Sequence, residues 1–301
     1  MIGMTSRALK HSYYEANARS RILGLLDPDT FQELLPPQER VVSPHLETLG
    51  VPWAFDDGVI IGTGKLEKKS VLIAAQEGGF MGGAVGEVHG AKITGLLERA
   101  LKTQTDGVLL LIESGGVRLH EANAGLIAVS EIIRAVLAVR TAEIPVIALI
   151  GGTYGCFGGM GIVARCCDTV IMSEEGRLAL SGPEVIETVM GVEEFDSRDR
   201  ALVWRTTGGK HRYLLGDAQV LVDDDIAAFR QAASAALGTS QALTLEALEA
   251  EHAAFAKRLE AFGECPDALD IWSRLGVTEP QGLPLLEAAE FLEAVAQRRA
   301  G

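Results

Sequence analysis

The chain has 301 residues, 48% of them hydrophobic, enough for one large domain or two small ones and too many for a disordered polypeptide. Its 27 basic and 41 acidic residues leave a formal net charge of −14, which argues against nucleic acid or an anionic membrane as the main partner. No segment reaches the roughly 18 uninterrupted apolar residues of a membrane span, the first twenty residues lack the apolar core of a signal peptide, and the four cysteines include no C-x-x-C pair for a zinc ribbon. A cytoplasmic protein with reduced thiols and no metal site is expected.

Taken in chain order, residues 13–26 carry helical spacing and stop at Asp27–Pro28. Thr30 with Glu33 fits a capping box for a short second helix. Residues 36–57 are rich in proline and charge and read as loop. VIIGTGKL (59–66) and VLIAAQ (71–76) read as the strands of a hairpin around residues 67–70. Glycine-rich sequence over 77–92 leads into a helix over 90–102. VLLLIE (108–113) is a continuous apolar run, hence a strand buried on both faces. SGGVRL (114–119) is a turn, and residues 121–140 return to helical spacing.

The unit then repeats: a strand at 145–150, the glycine turn GGTYGCFGGMG (151–161), a helix over 158–165, and a strand at 169–173. Strand, glycine turn and helix in succession mark an α/β layer. Residues 193–200 read as a solvated, charged surface. From about residue 223 the chain is helical, with strong periodicity over 242–262 and a last amphipathic stretch at 284–299. The helix at 242–262 packs on its own domain or forms a partner interface; its sequence favours neither.

Two glycine turns that each follow a buried strand can point successive N–H groups into a cleft, and a helix start beside them adds its dipole. Negative charge developing on a ligand oxygen is stabilised there, one donor being worth roughly 3–4 kcal/mol. The same glycines also serve simply to make tight turns. A P-loop and a G-x-G-x-x-G fingerprint are both absent. His89 and His120 are candidates for a base or for packed histidines. Glu113 and Glu121 flank the first turn and are expected to cap the helix or pair with Arg118. Arg118 either anchors a phosphate or carboxylate or pairs with Glu121 at helical spacing. Arg165, Arg205, Lys210, His211 and Arg212 remain available for a phosphate-bearing ligand.

Five segments together resemble the carboxyltransferase family: ARSRILGLLDPDTFQEL (18–34), AAQEGGFMGGAVGEVHGAK (74–92), ESGGVRLHEA (113–122), GGTYGCFGGMGIVARCCD (151–168) and SGPEVIETVMG (181–191). The resemblance covers roughly residues 13–230. It implies the crotonase-like α/β fold, a superhelix of β–β–α units, over residues 1–235, with 236–301 as a helical extension. It implies the N-type half of a paired enzyme, with the C-type half on a separate gamma subunit in a hetero-oligomer. By position, the amides of Gly115 and Gly116 become the oxyanion hole for an acyl thioester carbonyl. Gly158, Gly159, Ser114 and Arg118 become substrate-binding residues.

The substrate implied is a malonyl thioester on an acyl carrier protein subunit, carried by a CoA-like prosthetic arm, with no cofactor held covalently by this chain. The reaction implied is decarboxylation to the acetyl thioester through an enolate. The alternative is carboxyl transfer between an acyl thioester and biotin on another chain. Two departures stand out. The chain lacks the N-terminal four-cysteine zinc ribbon of the bacterial acetyl-CoA carboxylase beta subunit, and it carries Glu113 where many relatives have Asp.

Overall fold

The computed structural model describes residues 11–240 and 242–300. The signal-peptide expectation rests partly on residues 1–10, which lie outside the described residues. Helix α1 (Ala18–Leu25) starts where the Asn17 side chain accepts the Ser20 N–H at 2.8 Å, an N-cap that places the helix start five residues later than its spacing suggests.

The capping box expected at Thr30 and Glu33 does not form. Thr30 Oγ1 donates to the Asp27 carbonyl instead, Glu33 pairs with Arg19 at 2.9 Å, and residues Gln32–Leu34 form an edge strand, β1. It lies antiparallel to β2 (Val59–Leu66), which forms the expected hairpin with β3 (Lys69–Gln76). Glu67 and Lys68 at the hairpin tip both take positive φ, as a tight two-residue turn requires. The Asp27 carboxylate accepts both of their N–H groups, at 3.0 and 2.9 Å.

Beyond β3 every neighbour is parallel. Helix α2 (Glu87–Ala100) leads to β4 (Gly107–Leu111), α3 (Ala124–Thr141) to β5 (Val146–Ile150), and α4 (Gly159–Cys166) to β6 (Thr169–Ser173). Three short helices, α5 (Pro183–Met190), α6 (Arg200–Thr207) and α7 (Gly209–Leu214), precede β7 (Val220–Val222), which completes a seven-stranded sheet in sequential order. Helix α8 (Ile226–Ala236) follows.

Alternation along the strands explains the continuous apolar runs. Leu72, Ala74, Val108, Leu110, Val146 and Ala148 face the layer of α2, α3 and α4. Val71, Ile73, Leu109, Leu111, Ile147 and Leu149 face α1 and α8. Both faces are covered, so both residue parities must be apolar. Each fully buried Leu or Ile contributes about 1.5–3 kcal/mol relative to exposure.

Helix α9 (Leu245–Phe262) lies on the surface with no buried residue, whereas α10 (Ala268–Arg274) and α11 (Ala288–Ala294) pack Trp272 and Phe291 against Leu214 and Leu221. Within residues 193–200 most side chains are exposed as expected, but Phe195 is buried. Among the described residues no helix is long and apolar enough to cross a membrane, and no group of three or more His, Cys, Asp or Glu could hold a metal ion. The four cysteines are free.

Candidate active site

The sheet places the two glycine turns side by side, at the carboxyl ends of adjacent parallel strands β4 and β5, where open α/β sheets bind ligands. Ser114 and Cys156 bridge the turns: Ser114 N–H donates to Gly155 O at 2.7 Å, and Phe157 N–H donates to Ser114 O at 2.8 Å. Gly116 lies at φ 134°, and a Cβ there would meet nothing within 4 Å. Gly158 lies at φ 60°, and a Cβ there would come within 3.1 Å of the Gly116 Cα. Glycine is therefore required at 158 both by conformation and by the approach of the first turn.

The turn amides divide into engaged and available donors. Gly115 N–H donates to Gly82 O at 2.8 Å, and Gly158 N–H donates to Leu180 O at 2.9 Å. Gly116 N–H has a single partner among the described residues, Ser114 Oγ at 3.2 Å. Gly159 and Met160, the first two residues of α4, donate to no acceptor among the described residues. Helix starts leave such N–H groups orphaned and carry the positive end of the dipole. Of the two neighbouring amides expected at Gly115 and Gly116, the Gly115 N–H is therefore engaged within the chain. The reason is that the 81–83 loop folds over the first turn and its Gly82 carbonyl takes the Gly115 donor.

Ser114 is fully buried, and its hydroxyl spans the turn between the Gly116 N–H and C=O, each at 3.2 Å. Arg118 is also buried. Its guanidinium donates to the Asp57 carboxylate at 2.8 and 2.9 Å, to Glu121 at 3.1 Å, and to the carbonyls of Ala84 and Asp57. Each nitrogen of the fork has a partner, so the buried Arg118 ties the first turn to Asp57, Glu121 and Ala84. The Glu121 pairing was visible as an i,i+3 spacing. Asp57 lies 61 positions away and was not. Burial pushes the Asp57 carboxyl up against the pull of Arg118. For Glu121 burial also raises the carboxyl, but hydrogen bonds from Glu87 N–H, Ser43 and Arg118 outweigh it and hold the group low.

His89 belongs to the same buried cluster. Gln76 Nε2 can only donate, so His89 Nε2 accepts at 2.9 Å and Nδ1–H donates to Asp57 O at 3.0 Å. Burial and the adjacent Arg118 hold the imidazole at about 3, a neutral structural histidine and no base near pH 7. His120 is exposed on the short 3-10 turn after Arg118. Arg205 pairs with Asp267, and Lys210 donates to the carbonyls of Pro284 and Leu286. His211 accepts from the Trp272 indole, and Arg165 and Arg212 surround Asp217. These five basic residues lie outside the two turns.

Glu113 departs from expectation. It pairs with Arg21 of α1, not with Arg118, and the pair is buried. Its other oxygen accepts the Tyr154 N–H of the second turn at 3.0 Å. Arg21 in turn donates to Tyr13 O at 2.8 Å and Tyr14 O at 3.2 Å. With 92 positions between the partners, no local spacing signals this contact.

A sheet of β–β–α units with paired glycine turns at its strand ends is the crotonase-like class of fold, and the chain belongs to one family of it. The carboxyl transferase domain model matches residues 10–236, so the chain is a member of the carboxyltransferase family, with the crotonase-like fold. The chain is 41% identical to the malonyl-S-ACP:biotin-protein carboxyltransferase of Malonomonas rubra, across 93% of this chain and 94% of that one. It is similar to a chain of the Pseudomonas malonate decarboxylase hetero-tetramer solved with malonate, at 42% identity and a TM-score of 0.80, covering 86% of this chain and 95% of the other. A chain of the transcarboxylase 12S hexamer core gives 26% identity and a TM-score of 0.62, but this chain spans only 39% of its length.

Proposed function

We propose that this chain is the beta subunit of a malonate decarboxylase, acting with a gamma subunit as the C-type half. In this reading malonyl thioester on an acyl carrier protein loses CO2, the electron pair of the broken C–C bond forms the acetyl thioester enolate, and a proton delivered to carbon completes the acetyl thioester. The N–H groups of Gly116 and Gly159 hold the enolate oxygen. The observation that carries this is the convergence of the two turns, which leaves one unengaged helix-start amide and one weakly engaged turn amide on touching segments. Such donors act where charge develops and need no reorganisation. Ser114 and Arg118 then support the turn from behind and do not touch substrate.

The need for a second chain is supported by apolar residues exposed around the turns and on α5. Leu119 is 85% exposed, and Leu126, Ile127, Val185, Val189 and Met190 are all exposed. In this reading the partner covers these side chains. The Pseudomonas hetero-tetramer and hetero-dimer match supports a hetero-oligomer.

Carboxyl transfer to biotin on another chain is the second reading, favoured by the printed activity of the Malonomonas relative. Both readings share the enolate and differ in the fate of CO2. Purified complex with malonyl carrier thioester distinguishes them: CO2 release that persists with avidin present supports decarboxylation without biotin. Release abolished by avidin supports transfer. No release of CO2 and no transfer in either case overturns both.

A further inference from the structure

The geometry points to Glu113 as a positioning residue that sets the separation of the two amide-bearing turns; the inference rests on the enolate reading above. Glu113 lies two residues beyond β4 and two before Gly115, so its backbone belongs to one limb. Its backbone N–H donates to Gln76 Oε1 at 3.2 Å, fixing that limb to β3. Its side chain reaches the other limb: Oε1 accepts the Tyr154 N–H at 3.0 Å, four residues before Gly158. Oε2 is held by Arg21, so the carboxylate cannot swing away.

The second limb is shaped around this carboxylate. A Cβ on Gly152 would collide with the Glu113 carboxyl, and on the loop after β3 one on Gly78 would lie 2.5 Å from the Tyr154 ring and 2.6 Å from the Glu113 Cδ. Gly152 leaves room that the Glu113 carboxylate fills, and Gly78 leaves room that Glu113 shares with the Tyr154 ring. The anchor behind it is also tied to the second limb. Arg21 donates to Tyr14 O, the same carbonyl that accepts Thr153 Oγ1 at 3.1 Å, and Tyr13 stacks on Phe229 at 4.0 Å. One carboxylate therefore joins the first turn, the second turn and α1.

Reach and charge separate in two variants. Glu113→Asp keeps the charge but is one methylene shorter, so a carboxylate that stays with Arg21 no longer reaches the Tyr154 N–H and the clamp opens. Glu113→Gln keeps the reach to Tyr154 N–H and loses the ion pair. A purely structural role ranks Asp above Gln in every readout, because an unpaired buried Arg is the costlier defect. A positioning role reverses the order at the turns. Amide hydrogen exchange on the full chain should be about tenfold faster over residues 151–160 in Glu113→Asp than in Glu113→Gln, even though Glu113→Asp has the higher Tm.

In the assembled enzyme, kcat should fall about 100-fold for Glu113→Asp with KM within about threefold of the parent, and less for Glu113→Gln, since small misplacements cost about that much. Exchange over 151–160 unchanged in Glu113→Asp, or exchange and kcat that both follow the order of Tm, overturns the assignment. Failure of the parent enzyme to act on a malonyl thioester bears on the enolate reading alone, because the exchange measurement needs no turnover.

Discussion

Replacing Arg118 with Met separates a structural arginine from a substrate-binding one. The guanidinium is buried between Asp57 and Glu121, with 2.8 Å and 3.1 Å contacts, and its remaining N–H groups reach two carbonyls. Met fills much of the volume but leaves the carboxylates buried without a counter-charge. Breaking one side of such a pair typically costs about 3–5 kcal/mol, a large part of the roughly 5–15 kcal/mol that holds a domain folded. At about 2.1 cal/mol/K of unfolding entropy per residue, a chain of 301 residues loses about 5–8 °C in Tm. Urea unfolding with Tm as a cross-check measures it. The surviving folded fraction should keep KM for the thioester within about threefold. A variant with parental stability and a KM raised tenfold or more would place Arg118 on the substrate, as its motif position suggests, and would contradict the buried network.

Further outcomes follow from single positions. Gly83→Ala should destabilise the chain by more than the roughly 1–3 kcal/mol of its positive φ, because a Cβ there runs into the Glu113 carbonyl oxygen; denaturant melts test this. Gly159→Val should lower kcat and also stability, since even its Cβ would sit 2.6 Å from Val129 Cγ1 and push the α4 start away from α3. His89 and His211 are both held at about 3, below their unfolded value near 6.5, by burial first and then by neighbouring arginines. Their contribution is fully present above about pH 6.5 and is lost as pH falls toward 3, at about 1.4 kcal/mol per pH unit for each. His89→Gln should therefore flatten the slope of unfolding free energy between pH 6 and 4 by about that amount. An unchanged slope would mean that His89 is not buried neutral.

Much of the sheet was legible because strands buried on both faces leave continuous apolar runs. The runs at 59–66, 108–113, 145–150 and 169–173 all became strands. The three-residue edge strands β1 and β7 were not legible, since three residues carry no period. At β1 a Thr–x–x–Glu spacing pointed to a helix, yet pairing with β2 won and Glu33 turned to Arg19. Helices α5 to α7 are six to eight residues long, too short for an apolar stripe to declare itself. At the site, the glycine turns were visible in sequence, but which amides remain free was not. That depends on Gly82 and Leu180, carbonyls from segments remote from the turns that receive them. Arg118 with Asp57 and Arg21 with Glu113 likewise join residues far apart in the chain, and only the fold brings them together.

The most direct test of the central claim is turnover of malonyl carrier thioester by the assembled enzyme carrying Gly116→Ala. A Cβ at this position meets nothing within 4 Å, so no neighbour has to move, while φ 134° forces an L-residue to rotate the peptide that carries the amide. Loss of one oxyanion donor should lower kcat about 100- to 1000-fold, with assembly intact and KM little changed. Parental kcat in a folded, assembled Gly116→Ala enzyme would contradict the assignment of this turn to the enolate oxygen.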